Sequence, residues 1–146
     1  MIYLLRHGDA EDLEGNDAAR RLTAKGERQA RAAGRALAVL DAGIDACLAS
    51  PKIRAAETAR LACGSLDLVP ETAAELRGGS FDALTLAAGR GDVLLVGHEP
   101  DFSDEVARLT GARAKLRKGG LAIIDGSTLV ALLRPAELKA IGADEG

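Results

Sequence analysis

The sequence predicts an α/β protein, a three-layer α/β/α sandwich around a mostly parallel central sheet with one antiparallel strand. Three observations carry that expectation. Ile2 to Leu5 and Val93 to Val96 are short, wholly apolar runs, as expected of strands buried on both faces of a parallel sheet. Between such runs lie segments whose apolar residues recur at steps of three and four, and strands alternating with helices imply parallel crossovers. Near the end, Leu121 to Ile124 and Leu129 to Leu133 flank Asp125-Gly126-Ser127, a hairpin sequence because Gly accepts positive φ, and this hairpin supplies the antiparallel strand.

The first strand candidate stops at Arg6-His7-Gly8. Ala30, Ala33, Leu37 and Leu40 then mark one face of a helix, with Thr23 as its N-cap and Gly43 as its stop. Ile44 to Ala49 reads as a second strand. Ser50-Pro51 is expected to open the next helix, Ser as cap and Pro at the first helical position, and Ala55, Ala59 and Ala62 continue it. Residues 64 to 91 are irregular and glycine-rich, with one short helix from Phe81 to Ala88, and are expected mostly at the surface. The strand Asp92 to Val96 ends at Gly97-His98-Glu99-Pro100, a helix follows from about Phe102 to Leu109, and a last short helix after Pro135 precedes a polar tail.

Composition narrows the function. The chain has 146 residues, 19 Lys plus Arg and 22 Asp plus Glu, for a formal net charge of −3, with 47% apolar residues. That suits a single domain over residues 1 to 146, large enough to bury roughly 68–70% of its unfolded surface. The slightly acidic balance, with one Tyr, two Phe and no Trp, leaves no footprint for nucleic acid. Cys47 and Cys63 sit in apolar stretches and read as reduced core thiols, which points to the cytoplasm. Met1 to Leu5 meets Arg6 without the basic start or long apolar core of a signal peptide, and no run approaches the roughly 20 apolar residues of a membrane helix.

The chemistry concentrates at three places. His7 and His98, the only two histidines, each follow a predicted buried strand, so parallel strands bring both imidazoles to one sheet edge. Open α/β sheets bind ligands at that edge. Arg6 precedes His7, and Arg54 lies in the first turn of a helix, where side chains lean back toward the N-terminus. A helix start, guanidinium groups and two imidazoles favour a phosphate-sized dianion beside a potential nucleophile.

Arg6-His7-Gly8 after the first strand, Ser50-Pro51 with Arg54-Ala55 and Glu57-Thr58-Ala59, and Gly97-His98-Glu99-Pro100 after a late strand resemble the histidine phosphatase superfamily, whose fold is phosphoglycerate mutase-like. Arg6-His7-Gly8-Asp9-Ala10, Leu22-Thr23 with Gly26, and Lys118-Gly119-Gly120-Leu121-Ala122 are similar to its SixA-type phosphohistidine phosphatases. The resemblance runs in order from residue 1 to about 134. It implies that His7 is the nucleophile and becomes transiently phosphorylated, and that Arg6, Arg54 and His98 surround the transferring oxygens. An imidazole whose unperturbed pKa is about 6.5 is largely neutral near pH 7, and its other ring nitrogen is expected to donate to a backbone carbonyl. The general acid that many members use has Glu75 and Asp9 as candidates, with a surface carboxylate and a loop-orienting residue as their plainer readings. No metal or cofactor is implied.

Imidazole leaves more readily than an alkoxide, so the lack of a well-placed acid and a phosphoramidate substrate support each other. The stretch from Gly64 to Gly91 is also too short for an extended cap over a small sugar phosphate. The expected substrate is therefore phosphohistidine on a phosphorelay or phosphocarrier domain, with a small phosphoester as the alternative. Two rivals differ in class. One is a metallohydrolase using His7, Asp9, Glu11, Asp12, His98, Glu99 and Asp101, which lacks a recognised two-His spacing and sets two arginines beside the cation. The other is a phosphoprotein-binding module without turnover, which has no need of His7.

Overall fold

The structure is a computed structural model and describes residues 1–143; the predicted polar tail lies outside them. Six strands form one sheet in the order β3-β2-β4-β1-β5-β6, with β1 at Ile2–Arg6, β2 at Ala46–Ala49, β3 at Glu71–Thr72, β4 at Val93–Gly97, β5 at Leu121–Asp125 and β6 at Thr128–Leu133. β1, β2, β3 and β4 pair in parallel, and β5 runs against both β1 and β6, so it is the one strand of opposite direction among the described residues.

Alternation along each central strand splits the core in two. Tyr3, Leu5, Leu94 and Val96 face the helices α1 (Ala24–Val39), α2 (Ile53–Cys63) and α5 (Pro135–Ala143). Ile2, Leu4, Val93 and Leu95 face the other side, where Ala83 of α3 (Ala83–Ala87) and Phe102 and Val106 of α4 (Asp101–Thr110) pack. Every one of these strand residues is buried, which is why the runs carry no polar alternation. The three-layer sandwich follows from that pattern. Backbones approach closely where side chains are missing: a Cβ on Gly34 of α1 would stand 2.3 Å from the Ala62 carbonyl oxygen of α2.

Several boundaries differ from expectation. Thr23 caps α1, its hydroxyl accepting from the Gly26 amide at 3.1 Å. Gly43 does not stop that helix: Asp41 takes the left-handed conformation at φ 51°, the Ala42 amide donates to Leu37, and Gly43 serves the turn beyond. Ile44 is outside β2, because the ladder at that end begins with the Asp45 and Ala46 amides donating to Asp92.

Ser50 is not a helix cap and Pro51 is not in the first turn. Lys52 is the N-cap, since the Ser50 amide still belongs to the sheet through Val96 and its hydroxyl is engaged by His98. The stretch from 64 to 91 is largely exposed, yet it adds the edge strand β3 and buries Ala73, Leu76 and Ala83. Asp82 caps α3, and the buried Glu105 of α4 accepts from the Ala83 amide at 2.7 Å. Asp125 and Thr128 pair across a two-residue turn with Gly126 at φ 61°.

Candidate active site

The parallel strands deliver the site residues to one edge. β1 ends at Arg6 and leads into His7, β2 ends at Ala49 and leads into Ser50, and β4 ends at Gly97 and leads into His98. The His7 amide donates to the Gly97 carbonyl at 3.0 Å, extending the ladder one step past the strands. That step sets the two imidazoles side by side, with ring centroids 5.3 Å apart. The Arg6 and His7 carbonyls both accept from the Gly119 amide, and the Arg6 amide donates to Gly120, so the Lys118-Gly119-Gly120 segment clamps the end of β1.

The loop after His7 is fixed by close backbone contact. A Cβ on Gly8 would lie 2.6 Å from the Gly26 carbonyl oxygen, and one on Gly26 would lie 2.0 Å from that of Asp9. The Gly8 amide donates to the Thr58 hydroxyl, which itself donates to the Arg54 carbonyl. Thr58 therefore ties the loop after His7 to the helix that carries Arg54.

His7, Arg54 and His98 are only 5%, 5% and 6% exposed, so their polar atoms must be satisfied within the site. His7 Nδ1 lies 2.7 Å from the Gly8 carbonyl oxygen. A carbonyl can only accept, so Nδ1 carries the ring proton and Nε2 keeps its lone pair. Arg54 Nε donates to that Nε2 at 3.3 Å. Burial, assisted by the charges of Arg54, Arg6 and Arg20 and opposed by the Gly8 bond, pushes the His7 pKa down to about 4.

His98 Nε2 lies 2.8 Å from the Ser50 hydroxyl, which accepts from the Lys52 amide. The Ser50 hydroxyl can donate its proton to Nε2, and in that tautomer the ring proton of His98 sits on Nδ1. Burial first, then His7, Arg54 and Lys52, hold the His98 pKa down to about 3. Among the described residues, two buried side-chain polar atoms have no hydrogen-bond partner: His98 Nδ1 and Arg6 Nε. Arg6 Nε is a donor, and His98 Nδ1 is one in the tautomer whose Nε2 accepts from Ser50, so the site offers unspent hydrogen bonds to an acceptor.

Arg6 Nη1 is anchored on the Leu116 carbonyl at 3.0 Å, and burial lowers the Arg6 pKa while nearby Glu99 raises it. Arg54 also donates to the Asp17 carbonyl at 2.8 Å and pairs with the Asp17 carboxylate, which Lys52 holds at 2.9 Å. Hydrogen bonding from Lys52, with the charge and hydrogen bond of Arg54, keeps the Asp17 carboxyl well below the usual carboxylate range. Asp17, Lys52, Ser50 and Thr58 had escaped sequence reading as site residues.

Asp9 accepts from the Thr23 hydroxyl at 2.8 Å, and that bond, with Lys118 at 3.5 Å, lowers its pKa. It is an ionised carboxylate orienting the loop, with no proton to give at neutral pH. Glu75 is exposed in the 3-10 turn Ala74–Leu76. Its turn leaves β3 at the same edge as His7, but no hydrogen bond or ion pair joins it to the four central residues. Of the suggested metal ligands, Glu99 accepts from Ser103 and Asp101 from the Gly79 amide. Among the described residues no three His, Cys, Asp or Glu side chains gather to hold an ion.

A profile of the histidine phosphatase superfamily (branch 1) matches residues 2–89, and the chain belongs to that family. It is 33% identical over 128 residues to the phosphohistidine phosphatase SixA homolog of Haemophilus influenzae, covering 77% of this chain and 78% of the relative. It is 32% identical over 134 residues to an uncharacterized protein of Picosynechococcus sp., covering 82% and 81%. The protein histidine phosphatase SixA, solved in complex with tungstate, superposes with a TM-score of 0.81 at 26% identity, over 94% of this chain and 99% of that one. The alpha-ribazole phosphatase of Shigella flexneri shares the fold at 20% identity, with a TM-score of 0.68 over 92% and 96%.

Proposed function

We propose that this chain is a phosphohistidine phosphatase acting on a protein partner such as a phosphorelay or phosphocarrier domain, through a covalent intermediate on His7. The observation that carries the reading is a neutral imidazole with a bare Nε2 that faces Arg54 Nε, with the unpartnered Arg6 Nε and His98 Nδ1 at the same sheet edge. His7 Nε2 attacks phosphorus as the bond from phosphorus to the substrate imidazole breaks, and that imidazole departs with a proton taken from water. Water then attacks the phosphorus of phospho-His7, releasing phosphate and returning the electron pair to Nε2. Arg6, Arg54 and the His98 Nδ1–H stabilise the equatorial oxygens in both steps. With an alkoxide leaving group a proton donor is needed, and Glu75, at the same sheet edge, is the candidate.

The SixA structure was solved with tungstate, a tetrahedral oxyanion of phosphate shape, which supports oxyanion binding by this fold. The segment from 64 to 91 packs Ala73, Leu76 and Ala83 into the core on the α3–α4 side, which supports an open site suited to a protein surface. Cys47 and Cys63 are free and buried, in keeping with a cytoplasmic enzyme, and no helix among the described residues is long and apolar enough to cross a membrane. Incubation with a histidine-phosphorylated phosphorelay domain should release inorganic phosphate, faster than p-nitrophenyl phosphate is turned over. His7→Ala should stop the release while phosphate still binds. Preference for the small ester would favour the phosphomonoesterase reading, and binding without release would favour a phosphoprotein-binding module.

A further inference from the structure

A basic groove leads away from the site. One part, of about 560 Å³, starts at Arg6 and runs between Lys25 and the segment bearing Lys115 and Lys118. The next, of about 410 Å³, lies between α1 and α5, with Arg28, Arg31 and Arg35 on one wall and Lys139 on the other. Lys25, Gln29 and Pro135 line both parts, so the groove is continuous. Among the described residues every charged side chain lining it is Lys or Arg, in a chain whose net charge is −3.

Lys25, Arg28, Arg31 and Arg35 follow one another at steps of three and four, so they share a face of α1, while Ala30, Ala33 and Leu37 fill the core. Like charges at that spacing weaken a helix by tenths of a kcal/mol per pair, so the stripe is not there for the helix itself. Glu27 pairs with Arg31 at 3.6 Å and Asp9 with Lys118 at 3.5 Å, but Lys25, Arg28 and Lys115 meet no carboxylate among the described residues. From residue 25 to residue 35 the stripe rises about 15 Å.

We infer that this groove is a docking surface for an acidic segment of the phosphorylated partner, seated along α1 and α5 while the phosphohistidine enters at Arg6. The inference rests on the phosphohistidine phosphatase reading and adds to it the chemistry by which the partner is recognised. Charge complementarity selects Asp and Glu side chains. The floor contributes Ala32, Pro135 and Ala136, which suit aliphatic stems, and no aromatic ring lines the groove on which a nucleobase could stack. The surface is concave and so ill-matched to a lipid bilayer.

The test uses a fluorescent helical peptide with one His and Glu at every fourth position, its Gln and Lys counterparts, and the phosphohistidine form of each. The unphosphorylated Glu peptide should bind the whole protein at least ~10-fold more tightly than the Gln peptide at low salt, and the difference should vanish at high salt, as screening requires. The combined Arg28→Glu, Arg31→Glu and Lys139→Glu variant should lose that preference, favour the Lys peptide and raise KM for the Glu phosphopeptide by ~10-fold or more. Its turnover of p-nitrophenyl phosphate should stay within about twofold of the parent. Should the variant not fold, the peptide series on the unaltered protein decides alone.

Equal affinity for Glu and Gln peptides overturns the inference. So does tighter binding to duplex DNA or to phosphatidylglycerol vesicles than to the Glu peptide. Charge-dependent binding of a phosphopeptide that is not hydrolysed leaves the groove standing and removes the proposed activity. Hydrolysis indifferent to the peptide's charge does the reverse.

Discussion

Arg54 Nε donates to His7 Nε2 at 3.3 Å, so the ring nitrogen that keeps its lone pair already faces a guanidinium. The contact adds to burial in disfavouring protonation of Nε2 and places a cation where phosphoryl oxygens would collect. Arg54→Ala should lower kcat/KM by ~10²–10³, the range for losing one preorganised donor. Arg54→Lys should recover little, because an ammonium cannot hold His7, Asp17 and an oxyanion together as the guanidinium fork does. Steady-state kinetics on p-nitrophenyl phosphate measure both, and near-wild-type activity of Arg54→Ala would remove the guanidinium from the mechanism.

The two imidazoles are the only ones in the chain, so NMR titration gives two curves, which a His98→Asn variant assigns. Their midpoints should lie at about 4 for His7 and about 3 for His98. Free imidazole protonates near 6.5, so below that pH the unfolded chain binds more protons than the native one. Stability is therefore complete above about pH 6.5 and falls as the pH drops toward 4, by thermal or urea melts. Midpoints near 6.5 would mean solvated rings and a different site.

Ser50 acts through His98. Ser50→Ala removes the partner of Nε2 and of the Lys52 amide, leaving buried polar atoms unpaired at a cost of about 1–3 kcal/mol. Activity should fall by ~10-fold. The imidazole nitrogen shifts of His98 should also change tautomer pattern, which a purely structural role for Ser50 would not produce.

Asp17 pairs with Lys52 and Arg54, so an anion held by those two cations would have to compete with its carboxylate. Asp17→Asn keeps the backbone carbonyl that Arg54 Nη1 reaches but removes the negative charge. Inhibition by inorganic phosphate should tighten by ~2–5-fold at low salt, the scale of one partly exposed ion pair. An unchanged or weaker inhibition constant would assign Asp17 to holding Arg54 in place.

Gly34 tests the packing beneath the site. With a Cβ 2.3 Å from the Ala62 carbonyl oxygen, Gly34→Ala must push α1 and α2 apart, costing about 1–3 kcal/mol. Urea denaturation should show the loss, while the protein that stays folded keeps its kcat.

The doubly buried strands made the fold legible. Ile2–Leu5 and Val93–Val96 admit few other structures, and the hairpin at Gly126 fixes the direction of β5. The neighbourhood of Arg6, His7, Arg54 and His98 was legible because each stands within a residue or two of a strand end or helix start, where topology dictates position. Asp17 was not, since its approach to Arg54 depends on an exposed path without periodicity. Ser50 was misread because a Ser before a helix has two uses, capping an amide or holding a side chain, and only the nearness of His98 decides between them. The two-residue strand β3 is too short to pattern, and the basic groove exists only once α5 lies against α1.

The central claim is that His7 Nε2 takes the phosphoryl group, and alkaline detergent quenching of a reaction begun with a radiolabelled phosphohistidine protein tests it directly. Label should appear on the chain within one turnover, stable to alkali and labile to acid, map to His7, and vanish in His7→Ala. Label that persists in that variant, or turnover with no labelled intermediate at any time, would contradict the account.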